Sequence, residues 1–347
     1  MKSKTQKNNA KATGSGAVEV FTFGDPTPVM EARDLMGYFE SSWNGRYYEP
    51  PFNVASLAKS YRANPHHSSA IQVKRNIISS AFIPHKKLSR QQFERFALEQ
   101  IVFGNSYLEK IENALGGVLR YESPLSKFVR AGKNGEYLYI PNYYDSYPFK
   151  SGSIYHLIEP DINQDIYGAP DYLSGLQSAW LNEAATLFRR KYYLNGSHAG
   201  FVFYMTDPAQ DIKDVDNIRA ALKEAKGPGN FRNLFMYSPN GKKDGIQIIP
   251  IAEVQAKDEF FNIKNVSRDD VLAAHRVPPQ LMGIVPNNAG GFGDIEKAAR
   301  VFARNELLPL QERMKDFNAW AGEEVISFGP YEISVPGTGQ KIKIEVD

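Results

Sequence analysis

The chain has 347 residues, of which 42% are hydrophobic and 23% charged, with a formal net charge of +2 and no cysteine. That length suits one large or two modest domains of ordinary globular composition, and no run approaches the ~18 apolar residues of a membrane span. Disulfides and thiolate chemistry are excluded, a reducing cytoplasm fits and no signal peptide is evident, while +2 is too small for a dedicated DNA clamp, whose affinity is built from many Lys/Arg–phosphate contacts.

Residues 1–16 are basic and polar without apolar periodicity, which reads as a disordered tail or as a basic arm that meets nucleic acid or protein. Val18–Phe23 is a short predicted strand closed by Gly24–Asp25–Pro26, and Tyr47–Phe52 an extended connection through Pro50–Pro51. Helical spacing covers Val54–Tyr61 and Ser68–Ala81, separated by Asn64–Pro65, and then Ser89–Phe103, with Ser89 as N-cap and Gly104 as its stop. Strands follow at Tyr107–Ile111 and Val118–Tyr121 around Gly116–Gly117, with a hairpin over Phe128–Tyr139 that turns at Lys133–Asn134–Gly135. Ser153–Glu159 is a strand with apolar residues on both faces, hence buried. This first half is a mixed α+β domain.

The strongest helical pattern is Asp171–Asn195, with Leu173, Leu176, Trp180, Ala184 and Leu187 as its expected buried stripe, Asp171 complementing the macrodipole at its start and Asn195–Gly196 its C-cap. At ~1.5 Å per residue it would be roughly 38 Å long, more than a small core requires. Residues 200–251 form a compact insertion: strands at Phe201–Met205, Leu234–Tyr237 and Ile246–Ile249, and a helix at Ile212–Ala225. A helix from about Lys257 to Val277 ends at Pro278–Pro279. Pro286, Asn287, Asn288, Gly290, Gly291, Phe292 and Gly293 then make a span whose Gly and Asn residues accept left-handed backbone angles. The last helix, Asp294–Trp320, has Asp294 as N-cap and Ile295, Ala298, Phe302, Leu310, Met314 and Phe317 as its stripe, with a kink expected at Pro309. Val325–Ser327 and Lys341–Val346 close the chain as strands.

There is no GxxxxGK[ST], no GxGxxG after a strand and no GxSxG. The six histidines form no HExxH or comparable ligand spacing; His275, at a helix C-terminus beside Arg276, reads as a capping or core residue rather than a base. Carboxylate pairs such as Asp269–Asp270 and Glu323–Glu324 read as solvated, and the aromatic run Tyr137–Tyr144 as packing rather than base stacking. No cofactor and no metal site is expected, and the chain is not read as an enzyme.

The segment HLIEPDINQDIYGAPDYLSGLQSAWLNEAATLFRRKYYLNGSHAGFVFY (156–204) resembles the central signature of tailed-phage portal proteins of the P2/PBSX type. Two further blocks agree in order: Gly104–Asn105–Ser106–Tyr107, and VLAAHRVPPQLMGI followed by Phe292, the Asp294 helix and Leu307–Leu308–Pro309. The resemblance implies a portal fold that assembles as a dodecameric ring at one capsid vertex. Residues 17–170 would be the wing, 171–199 and 257–283 the two stem helices, 200–256 the clip facing the motor, 284–293 a tunnel loop, 294–322 the long kinked helix and 323–347 wing strands. It also implies the partners: double-stranded DNA held without sequence preference, the terminase large subunit, major capsid and scaffolding proteins, and neck or head-completion proteins, with no membrane. The site would be the virion vertex, with assembly in the host cytoplasm. Arg189, Arg190, Lys191, Lys264 and Arg268 would face phosphate or form salt bridges between subunits, Lys242 and Lys243 would be a solvated turn or a terminase contact, and Trp180, Phe188, Tyr192 and Tyr193 are interface candidates. The alternatives weighed were a monomeric sequence-independent nucleic-acid binder and a hydrolase or transferase with dispersed carboxylates.

Overall fold

The computed structural model describes residues 41–142, 145–194, 201–205, 246–250, 256–284, 295–334 and 341–344. Three helices come first: α1 (Val54–Ser60), α2 (Pro65–Ala81) and α3 (Arg90–Phe103). Each begins on a polar cap, because the first backbone N–H groups of a helix need an acceptor. Asn53 accepts from Ser56, Asn64 from His66 and His67, and Ser89 from Gln92. Gly104 ends α3 at φ 64°, a left-handed position, with its N–H on the Gln100 carbonyl.

Strands β1 (Asn105–Glu112), β2 (Val118–Glu122) and β6 (Ile154–Ile158) form an antiparallel sheet in the order β2-β1-β6, with Tyr107 opposite His156. Strand alternation divides its residues between two cores. Leu108, Tyr155 and Leu157 face the helices, whereas Tyr107 and Ile154 face a small meander of β3 (Val129–Ala131), β4 (Tyr137–Tyr139) and β5 (Tyr147–Pro148). Tyr137 and Tyr139 pack into that second core, as the packing reading of the aromatic run expects; Tyr143 and Tyr144 lie outside the described residues.

The long helix does not start as an α-helix. Asp171–Gly175 is a 3₁₀ segment after Pro170, and α4 runs from Leu176 to Leu194. Its stripe also differs: Leu176 and Ala179 are buried, Asn182 too, and Ala184 is exposed. Two partners account for this. Phe52, Leu57, Val102 and Phe103 cover the Tyr172–Leu176–Trp180 line, and α5 (Ala256–His275) covers Gly175, Ser178, Asn182 and Thr186. Trp180 therefore belongs to the intrachain core. Strands β7 (Phe201–Met205) and β8 (Ile246–Pro250) pair antiparallel. The expected helix at 212–225, the strands at 18–23 and 234–237, and the caps at Asn195–Gly196 and Asp294 lie outside the described residues.

Beyond α5, Pro279–Met282 is a 3₁₀ turn. The final helix comes in three pieces: α6 (Ile295–Phe302), a π-turn over Ala303–Leu307 and α7 (Leu308–Ala321). The expected kink at Pro309 is thus a π-turn one residue upstream, with the Leu308 N–H on the Ala303 carbonyl. Ile295 is 43% exposed rather than buried, and Ala299 takes the core position. Val325–Ser327 is no ladder strand. It is an extended segment held by the Asn318 carboxamide, which donates to the Ile326 carbonyl and accepts from the N–H groups of Val325 and Ile326. It docks on the α2–α3 corner through Ile83 N–H to Ser327 O. The closing hairpin is β9 (Tyr331–Ser334), which the sequence reading missed, with β10 (Lys341–Ile344). The main core gathers Ala70, Phe82, Phe93, Leu108, Met314, Phe317 and Ile326 from both ends of the described chain.

Candidate functional site: the junction of the three signature blocks

The three sequence blocks that carry the resemblance meet at one place. Gly104 and Asn105 open the first, where the end of α3 gives way to β1. The Asn105 carboxamide donates to the carbonyls of Phe103 (2.9 Å) and Gly168 (2.8 Å) and accepts from the Gly168 N–H (2.8 Å). His156 Nε2 lies 2.9 Å from Asn105 Oδ1, and Tyr137 Oη lies 3.3 Å from His156 Nδ1. Asn105 Oδ1 only accepts, so Nε2 carries the proton and Nδ1 takes the tyrosine hydroxyl. Burial holds this imidazole neutral, with its pKa down to about 3. Gly168 has no room for a side chain: a Cβ there would lie 2.2 Å from the Gly104 carbonyl oxygen. The Glu159 N–H also reaches that oxygen, at 2.8 Å.

The third block enters through the end of α5. His275 and His67, from α2, share a hydrogen bond of 2.8 Å between Nε2 and Nδ1. Tyr172 stacks on His275 at 4.9 Å and meets His67 edge-on at 4.7 Å. His67 Nε2 is buried without a hydrogen-bond partner. One of the two facing nitrogens, His67 Nδ1 or His275 Nε2, carries the proton of this bond and the other accepts it. Burial brings His67 down to about 4 and His275 well below its ordinary value. His275 is thus a core residue, as the sequence reading expected.

Beside the histidines is a cleft of about 480 Å³ lined by Lys74, Gln100, Glu159, Asp171, Arg276 and Arg313 among others. Its charges are paired. Lys74 Nζ lies 2.9 Å from Glu306 Oε2, Arg276 Nε lies 2.6 Å from Glu306 Oε1, Arg276 also pairs with Asp171, and Arg313 with Glu159. Burial lowers the Lys74 pKa and the Glu306 carboxylate partly restores it. Groups neutralised in this way tie elements together; they do not present a free base to a substrate. Among the described residues no cluster of His, Asp and Glu could hold a metal ion.

The sequence-predicted site residues are dispersed. Arg189 and Arg190 are exposed on the last turns of α4, and Lys191 follows them in the helix. Lys264 donates to Thr186 Oγ1 at 2.6 Å across the α4–α5 hairpin, and Arg268 pairs with Asp269. These two are engaged within the chain. Burial, then the nearby Arg189, lowers the Lys264 pKa. Lys242 and Lys243, and Pro286, Asn287, Asn288, Gly290, Gly291 and Phe292, lie outside the described residues. The reading missed Asn105, Glu306 and Arg313, whose partners are remote in sequence. The one local signal was Arg276, an arginine in a helix-ending position where glycine is the usual choice.

The profile of the family described as phage portal protein matches residues 53–324. The chain is 54% identical over 335 residues to the probable portal protein of Escherichia phage P2, covering 96% of this chain and 97% of that one. It is 38% identical to the probable portal protein of Haemophilus phage HP1, over 88% of this chain and 92% of the relative. Its fold is similar to a chain in the neck of a native gene transfer agent particle computed with C12 symmetry, at a TM-score of 0.59 and 19% identity over 82% of this chain and 86% of that one. It is likewise similar to an HK97-family phage portal protein from Corynebacterium diphtheriae, at 0.57 and 12% over 78% and 94%. The chain belongs to the phage portal protein family.

Proposed function

We propose that this portal protein is the repeating subunit of a ring whose central channel passes double-stranded DNA during packaging and ejection. The near full-length identity with the P2 portal protein carries the reading. The α4–α5 hairpin would be the stem, residues 200–256 the terminase-facing clip and 284–293 the tunnel loop; scaffolding, capsid and head-completion proteins would meet the ring outside the stem. A net charge of +2 on 347 residues suits a wall past which DNA slides, since every added phosphate contact adds sequence-independent affinity.

The stem offers a surface for a neighbouring copy. Leu181 on α4 is 50% exposed, Phe188 one helical repeat further 38%, and Val266 on α5 61%. Asn182 bonds Ser267, so Leu181 and Val266 stand one residue from a cross-hairpin pair, at the same level. A cyclic ring needs a heterologous contact of this kind, one flank against a different flank of the next subunit. Changing Leu181 and Val266 together to glutamate is expected to leave the helical circular dichroism unchanged and abolish rings in native mass spectrometry and negative stain. A wild-type chain that remains monomeric under all conditions, without rings in capsid precursors, would sink the reading in favour of a monomeric nucleic-acid binder.

A further inference from the structure

Arg276 occupies a position where a helix end of this shape normally carries glycine. Helix α5 finishes in a Schellman arrangement, with the Val277 N–H on the Leu272 carbonyl (3.2 Å) and the Arg276 N–H on the Ala273 carbonyl (3.0 Å). Arg276 itself has φ 54°, a conformation that L side chains disfavour. Strain of this sort persists where the surroundings over-determine it.

The surroundings here are ionic. The Arg276 guanidinium reaches Asp171, at the start of the first stem segment, and Glu306, in the π-turn of the last helix. Glu306 receives Lys74 of α2 on its other oxygen. Four elements distant in sequence thus join in one line of alternating charge. The π-turn is what makes the line consequential. It holds one residue more than an α-turn, and such an insertion can move along a helix or be absorbed. Absorbing it would rotate Ile295–Phe302 by about one residue's angle, ~100°, relative to α7. Downstream, Arg313 pins α7 to Glu159, so the part free to turn is the part upstream.

We propose that Arg276 is a positioning residue: with Lys74 it holds Glu306 from two sides, locks the π-turn in place and fixes the direction of α6 against the stem. The inference rests on contacts within one chain and stands whether or not the ring reading does.

The test is hydrogen exchange of the full-length protein, comparing amides of 296–308 with those of 312–320, in Arg276→Gly, Arg276→Lys, Glu306→Gln and the Arg276→Gly/Glu306→Gln pair. Glycine relieves the backbone, so a residue serving only as a helix cap would leave exchange unchanged or slow it. The staple predicts the opposite: exchange in 296–308 faster by about ten-fold or more, with 312–320 unaffected. Glu306→Gln should reproduce the effect, the double variant should be no worse than either single one, and lysine should restore part of the protection. Unchanged exchange in Glu306→Gln, which leaves the backbone at 276 untouched, overturns the proposal even if Arg276→Gly does not fold.

Discussion

Asn105 acts as a side-chain substitute for a strand partner. It exchanges two hydrogen bonds with the backbone of Gly168, as paired peptide groups do, and uses its remaining capacity on Phe103 and His156. In the sequence, Gly104–Asn105–Ser106–Tyr107 is one of the blocks that carry the resemblance, but the role of Asn105 is not legible there, because His156 and Gly168 lie 51 and 63 residues further on. The same holds for the pairing of His67 with His275: the sequence reading placed His275 as a capping or core residue, but its partner lies 208 residues away. Their titration has a definite sign. Both are held neutral when folded and protonate near 6.5 when unfolded, so the unfolded state takes up more protons as pH falls below 6.5. Lys74 and Arg276 face the pair from α2 and α5 and oppose a further positive charge. Stability is therefore expected to be flat above pH 7 and to fall from pH 6.5 towards pH 4. His67 alone contributes a loss of about 2 kcal/mol at pH 5. Urea midpoints at pH 7 and pH 5 measure it, and His67→Asn should flatten the difference; an unchanged slope would exclude His67 as its source.

Helix ends were the most legible elements, since their signals are local. Ser89 and Gly104 cap α3 as read. The π-turn was not legible: Phe302 and Leu310 are both buried and eight residues apart, an ordinary same-face spacing for an unbroken helix, and the sequence reading expected the irregularity at Pro309. The α4 stripe held at Leu173, Leu176 and Trp180 and failed at Ala184, for a different reason. Periodicity gives one apolar face, and this helix has two neighbours, one of which accepts small and polar residues. Gly175 shows how close that second contact is: a Cβ there would sit 2.5 Å from the Ala274 Cβ. Gly175→Ala is expected to destabilise the chain by about 1–3 kcal/mol through overpacking. Adding Ala274→Gly should recover part of that loss, and thermal denaturation of the two variants is the check. Full stability in Gly175→Ala would mean that the hairpin can open without penalty.

For the whole molecule, fold class and block order were legible, and the junction was not, because it is a product of long-range closure. The basic residues marked on α4 and α5 divide accordingly. Arg189 and Arg190 are exposed, while Lys264 and Arg268 are engaged inside the hairpin. The main core gives the same lesson on a larger scale. Val325 and Ile326 are buried in it beside Ala70 and Phe82, at about 2 kcal/mol for each fully buried aliphatic side chain. A chain ending at Ala321 is expected to be soluble only with chaperone and open to protease throughout; a protease-resistant truncated product would show that the closing segment is dispensable.

That core also sets a schedule. Its first helix leaves the ribosome long before its last segment, and at about 5–20 residues per second the interval lasts tens of seconds. During that time Phe82 and Phe93, stacked at 3.9 Å in the finished protein, lack the Phe328 ring that meets both edge-on. The nascent chain thus shows apolar surface until synthesis is nearly complete, so closure of this core is expected to follow translation.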